Sequence, residues 1–251
     1  VMARIEALGY APQLTRKDGV LVCLGGKDQE NGLLLEAHMD TLGGMVEQIK
    51  SNGRLKITRI GGLRAENVET ENCRVVTKFD GIVEGTAQLV NASVHVNTKY
   101  GDTQRTFDTI EIVLDEPVAS AEDVKKLGIR TGDYVCFEPR TRVTESGYIK
   151  SRFLDDKLSV GILLGYAKYL KDANVVPERA VYVHITSFEE VGHGGSASVP
   201  AGVTEAISVD MGCVGEGLTC DERMVSICAK DSGGPYNYDV VRGLIAAAEK
   251  M

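Results

Sequence analysis

Val181-Tyr-Val-His-Ile-Thr-Ser187 decides how this chain folds. It is a strand-length run of β-branched and apolar residues, and it leads directly into Phe188-Glu189-Glu190. Before it, residues 156–171 carry apolar side chains at 158, 162, 166 and 169/170, which is the stripe of a helix. Pro177 then breaks the chain ahead of the strand. An earlier run, Leu33-Leu-Leu-Glu-Ala-His38-Met-Asp40, and a later one, Ala206-Ile-Ser-Val-Asp210, read as further strands, and residues 238–250 as another helix. Strands alternating with helices predict an α/β layer structure whose strands are largely parallel.

Working outward, the first 40 residues read as a terminal helix, a short strand pair and the strand ending at His38. From Met45 to about Phe137 the texture changes to short alternating segments: residues 54–60, 74–78, 93–97 and 109–114, separated by glycine and polar turns. That is the pattern of a small β-barrel or sandwich. One helix interrupts it, where Ser120-Ala-Glu-Asp123 has the form of a capping box and Gly128 stops the run. The expected architecture is a mixed-sheet α/β domain built from residues 1–44 and 138–251, with a β-barrel-like block, 45–137, inserted into it.

The chain's 251 residues, 43% of them apolar, are enough for one large domain or two small ones. A net charge of -8 argues against nucleic-acid or anionic-membrane partners, which basic patches normally serve. No apolar stretch approaches the length of a membrane span. No charged-then-apolar leader is visible at the start, and a beginning at Val1 suggests that the natural N-terminus lies further upstream. The six cysteines show no Cys-x-x-Cys spacing, so they are expected to be free, mostly buried thiols in a reducing, cytoplasmic setting.

Four element ends deliver metal-capable side chains. His38 and Asp40 lie on one face of an extended segment, where a carboxylate can take the second N–H of a metal-binding imidazole. A buried structural His–Asp pair is the plainer alternative. Asp155-Asp156 opens a helix, where one Asp is explained by capping; a second at the same turn repels the first unless a cation is present. A carboxylate can bridge two metals, so either member of the pair could do so. In Glu189-Glu190 one residue can hold metal while the other accepts a proton from the attacking water, although an acidic surface turn would look the same. Asp210 closes its strand, and by itself it could be a simple loop carboxylate. In open α/β sheets ligands bind beyond the carboxyl ends of the strands, which is where His38, the glutamate pair and Asp210 are expected.

The order His-x-Asp, Asp-Asp, Glu-Glu, Asp resembles the tetrahedral (TET) aminopeptidases, a family that includes glutamyl aminopeptidases and some proteins long labelled endoglucanases. The likeness is carried by Ala37-His-Met-Asp-Thr-Leu-Gly43, Phe153-Leu-Asp-Asp-Lys157, Ser187-Phe-Glu-Glu-Val-Gly192, Ser208-Val-Asp-Met-Gly212 and Lys230-Asp-Ser-Gly-Gly-Pro235, and it covers essentially the whole chain. The resemblance implies two divalent metal ions, zinc or cobalt, with His38, Asp155 and Asp210 at one and Asp155 and Glu190 at the other. It makes Glu189 the general base and Asp40 the partner of His38. Asp155, rather than Asp156, is the bridge by analogy with related dinuclear peptidases. It also implies removal of N-terminal residues from short peptides, dimerisation through the inserted block, and assembly into hollow dodecamers.

The chain departs from the family pattern at Thr41 and Gly44, and in His193-Gly-Gly-Ser196 after the glutamate pair, where His193 is a candidate substitute ligand. His184 reads as a packing residue in mid-strand. The family's last metal-binding histidine has no counterpart before Met251, so the catalytic domain is expected to be incomplete at its C-terminal end, a truncation that can leave it inactive. Two other readings follow. A glycoside hydrolase would need carboxylates about 5–9.5 Å apart across a sugar, which neighbouring residues supply poorly. A non-catalytic assembly subunit would explain the absent ligand.

Overall fold

The apolar run that reaches His38 lies inside a five-stranded mixed sheet. In the computed structural model, which describes residues 1–79, 81–196 and 198–251, the chain opens with α1 (Met2–Ala7), β1 (Gln13–Leu14), β2 (Val20–Gly25) and β3 (Asp28–His38). Then come β4 (Gly43–Ile49), β5 (Leu55–Ile60), β6 (Asn72–Val76), β7 (Ile82–Leu89), β8 (Ile110–Leu114), α2 (Ala121–Lys126) and β9 (Tyr134–Phe137). A hairpin of β10 (Arg142–Val143) and β11 (Ile149–Lys150) leads to α3 (Leu154–Asp172), β12 (Arg179–Thr186) and β13 (Val203–Ser208).

The sheet order is β1-β2-β12-β3-β13. β12 and β13 both run parallel to β3, whereas β1–β2 and β2–β12 are antiparallel. The expectation of largely parallel strands is therefore half met. The cause is local: β2 and β3 are joined by a connection too short for a parallel crossover, so they run in opposite directions and β12 inserts between them. Gly26 makes that connection possible, because a Cβ there would sit 2.2 Å from the Arg179 carbonyl oxygen.

Register sorts the side chains. Val183 lies opposite Val22 and Leu35, and Ile185 opposite Val20 and Ala37, so these residues share one face. The alternate positions share the other face: His184 pairs with Glu36, and Thr186 with His38. α3 packs on β3 and buries Val160, Leu163, Ala167 and Leu170.

Residues 43–137 close a six-stranded barrel in the order β4-β5-β8-β7-β6-β9. Its interior is aliphatic, with Leu55, Ile57, Val75, Ala87, Leu89, Ile110 and Ile112 fully buried. Burying a Val-, Leu- or Ile-sized side chain in this way is worth about 1.5–3 kcal/mol relative to exposure. α2 starts as expected: the Ser120 hydroxyl accepts from the Asp123 N–H and donates to its carboxylate. The strand expected at 93–97 does not form. Asn97 N–H bonds back to the Ser93 carbonyl and Val94 and Val96 lie exposed, because an alternating pattern with no core to face folds into turns.

Val1–Ser208 forms one compact unit and Val209–Met251 a second. The second holds β14 (Lys230–Asp231), β15 (Gly234–Pro235) and α4 (Tyr238–Ala248), the helix being capped by the Asn237 side chain. Among the described residues no helix is long and apolar enough to cross a membrane. All six cysteines are free, but only Cys73 is buried, against the expectation of mostly buried thiols. Cys73 faces the barrel core, and burial pushes its thiol up to about 12.

Candidate metal centre

Three element ends meet in the first unit. β3 delivers His38, the start of α3 delivers Asp155, and the loop after β12 delivers Glu189 and Glu190. His38 is 2% exposed. Its Nδ1 lies 3.0 Å from the carbonyl oxygen of Asp40, which can only accept, so Nδ1 carries the proton. Nε2 is left with its lone pair, 2.8 Å from Oδ1 of Asp155 and 3.6 Å from Oε2 of Glu189. Two acceptors at 2.8 Å repel each other unless a second proton or a cation joins them. An imidazole lone pair converging with carboxylates is a donor set that zinc, cobalt or manganese accepts, so these residues fit a divalent metal.

The two aspartates have separate tasks. Asp156 is buried, and its Oδ2 accepts the backbone N–H of His38 at 3.0 Å, tying the helix start to the strand end. Asp155 turns its carboxylate to the ring nitrogen and keeps 43% of its side chain exposed. Both aspartates have non-helical backbone angles, at a kink where the regular part of α3 begins.

Asp40 holds the glutamate pair. Its two carboxylate oxygens accept the backbone N–H groups of Glu189 at 3.2 Å and Glu190 at 3.1 Å. Nδ1 of His38 therefore lies nearer to the Asp40 carbonyl than to its carboxylate, which stands 3.5 Å away. Behind Glu189, Gly194 comes so close that a Cβ would lie 3.0 Å from the Glu189 Cα.

Crowded carboxylates set the electrostatics. The Glu190 carboxyl is pushed up to about 7, first by burial and next by the charge of Asp155, with Glu189 and Asp40 adding to it and His38 opposing. Lys157, one turn into α3, donates to the Met39 carbonyl at 3.1 Å. Desolvation draws its ammonium below the ordinary value, and Asp40, Glu190, Asp155 and Asp156 resist that shift. The sequence reading gave Lys157 no role; its position directly after the aspartate pair was the available signal.

Asp210 follows β13 by two residues and belongs to the second unit, where its carboxylate accepts the Met211 N–H at 2.6 Å. The His193 ring stacks on Phe188 with centroids 5.2 Å apart. His184 is buried, with Nδ1 2.8 Å from Glu36 Oε1.

Residues 18–251 match the sequence profile of the M42 glutamyl aminopeptidases. The chain belongs to the M42 family. Membership makes it one of a family of peptide-bond hydrolases. It is 42% identical over 234 residues to YhfE of Bacillus subtilis, itself assigned by name as an aminopeptidase; the match covers 93% of this chain and 68% of that protein. To the lysyl aminopeptidase of Pyrococcus furiosus it is 25% identical over 180 residues, covering 71% of this chain and 50% of the relative. The M42 chain thus spans only part of its relatives' length. Its fold superposes on the Pyrococcus horikoshii TET1 peptidase with a TM-score of 0.79 at 24% identity, over 99% of this chain and 74% of the other.

Proposed function

We propose that this M42 chain is a metal-dependent aminopeptidase that releases N-terminal residues from short peptides. The observation that carries the proposal is the His38 ring: its Nδ1–H is fixed by Asp40, and Nε2 faces Asp155 and Glu189, an arrangement suited to a cation. Two divalent ions, zinc or cobalt, would be held by His38, Asp155 and Glu190. For Asp210 the ligand role is proposed from its motif. When bound, the metals would polarise the scissile carbonyl and lower the pKa of the attacking water.

The protein's own residues supply the rest. Glu189 takes the proton from the attacking water and hands it to the leaving amine, acting as base and then acid. Asp40 fixes the imidazole tautomer through its carbonyl and sets Glu189 through its carboxylate. Asp156 holds the His38 backbone in place.

The glycoside-hydrolase alternative is disfavoured by the same geometry, because the glutamates are adjacent and share one anchoring carboxylate. Hydrolysis of an aminoacyl-nitroanilide, lost with a chelator, together with no action on cellulose oligomers, is the expected result. The reverse pattern would overturn the reading.

For localisation we propose the cytoplasm, on the free cysteines and acidic charge. The barrel block, 45–137 within the catalytic parts 1–44 and 138–251, is proposed to mediate dimerisation towards a dodecamer. The TET1 peptidase, which can assemble into a tetrahedron or a large octahedral shell, supports self-association. Sedimentation velocity tests this; a monomer at all concentrations counts against it.

A further inference from the structure

The segment that carries Glu189 is poorly suited to holding its own shape. Residues 187–196 contain three glycines and no strand or helix. Inside it, two backbone bonds (Gly192 N–H to Glu189 O at 2.7 Å, His193 N–H to Phe188 O at 3.1 Å) and the Phe188–His193 stack provide local order. Its position must come from outside. Asp40 grips the middle, as described above.

Both ends are gripped by one residue. The Ser187 hydroxyl donates to the backbone carbonyl of Lys17. The Lys17 ammonium donates to the carbonyl of His193 and, at 3.0 Å, to the hydroxyl of Ser196. Lys17 is only partly exposed, and it stands on a tight turn between β1 and β2, closed by Thr15 N–H to Gly19 O at 2.7 Å and Asp18 N–H to Thr15 O at 3.1 Å. β2 continues that turn into the sheet beside β12, so the grip is anchored to the element from which the loop departs. An ammonium has three donors and no acceptor, which suits it to a carbonyl and a hydroxyl at once.

We propose that Lys17 is a positioning residue for the reaction, clasping residues 187–196 at both ends and so fixing the Glu189 carboxylate relative to His38. This rests on the role given to Glu189 above. Lys17 touches neither metal ligands nor substrate in this scheme. It acts through the loop, and misplacement of a reacting group by about 1 Å can cost 10²-fold in rate.

The test uses the 251-residue chain with Lys17→Met, which keeps the stem and removes the donors, Lys17→Arg as the rescue, and Arg16→Met as a neighbouring surface control. Amide hydrogen exchange and peptidase kinetics are measured on all four proteins. The expected result for Lys17→Met is faster exchange confined to residues 188–195 and a kcat lower by about 10–100-fold, with KM within about twofold. Lys17→Arg should recover part of both, and Arg16→Met neither. Unchanged loop exchange in Lys17→Met overturns the proposal. So does faster exchange throughout the sheet with no recovery in Lys17→Arg, which marks a merely structural lysine. If the parent chain releases no amino acid at all, the aminopeptidase reading fails by itself. Loop-confined exchange then still supports the clasp, and its absence still overturns it.

Discussion

Replacing Glu189 by glutamine lowers kcat by about 10²–10⁴-fold and leaves folding and metal uptake intact. Glutamine keeps the shape of the side chain and the backbone N–H that Asp40 accepts, so the loop stays in place. Only the capacity to receive a proton is lost. The carboxylate is half exposed, as a group that meets substrate and water should be, in contrast to His38 at 2%. KM should change little, because the lost interaction belongs to the transition state. Glu190→Gln should behave differently and reduce the metal content as well as the rate. Measuring both variants by elemental analysis and steady-state kinetics separates base from ligand. If Glu189→Gln retains near-normal kcat, Glu189 is not the base.

The second large effect is the dependence of metal binding on pH. Glu190 holds a proton up to about pH 7 in the metal-free protein and must release it to ligate. Metal affinity should therefore fall about tenfold per pH unit below about 7, where one proton competes. The sign for folding follows from the same shift. A carboxyl raised above its ordinary 4.5 retains a proton that the unfolded chain has lost. Its contribution favours the metal-free fold at low pH and fades as pH rises from about 4.5 to 7. Metal reverses this by neutralising the crowded carboxylates. At free metal 100 times Kd the gain is about 2.7 kcal/mol, which for a chain of this size is a rise in Tm of about 5–10 °C. The rise should be larger at pH 7.5 than at 5.5. Thermal melts with and without zinc or cobalt at the two pH values check this. An equal gain at both would mean that Glu190 is not a ligand.

The parts of this site that were legible in the sequence are those at element ends. His38 and the Glu189–Glu190 pair close apolar runs, and Asp155-Asp156 opens a striped helix, so period and punctuation located them. What was not legible depends on contacts across the fold. That the Asp40 carboxylate takes two backbone N–H groups about 150 residues away leaves no local trace. Nor does the division of labour between Asp155 and Asp156, which shows in the bond from the His38 backbone to Asp156. In the fold, the strand at 203–208 ends two residues before Asp210, because pairing with β3 stops at Glu36 opposite Ser208. The Ser93–Asn97 pattern misled for the opposite reason. It has the alternation of a strand, but β7, with its interior Glu84 and Gly85, took the place in the barrel.

The barrel also bears on the order in which the chain can organise itself. His38 and Asp155 are 117 residues apart in sequence, and bringing them together in an open chain means closing a loop of that size. Once β4 and β9 pair, with Gly44 opposite Val135, only six residues on one side and twenty on the other still separate the two ligands from the joined strands. On the logarithmic scaling of loop entropy the closure cost falls by about 1 kcal/mol. A module placed between two halves of a site thus serves as a splint: once closed, it makes distant halves of the chain near neighbours.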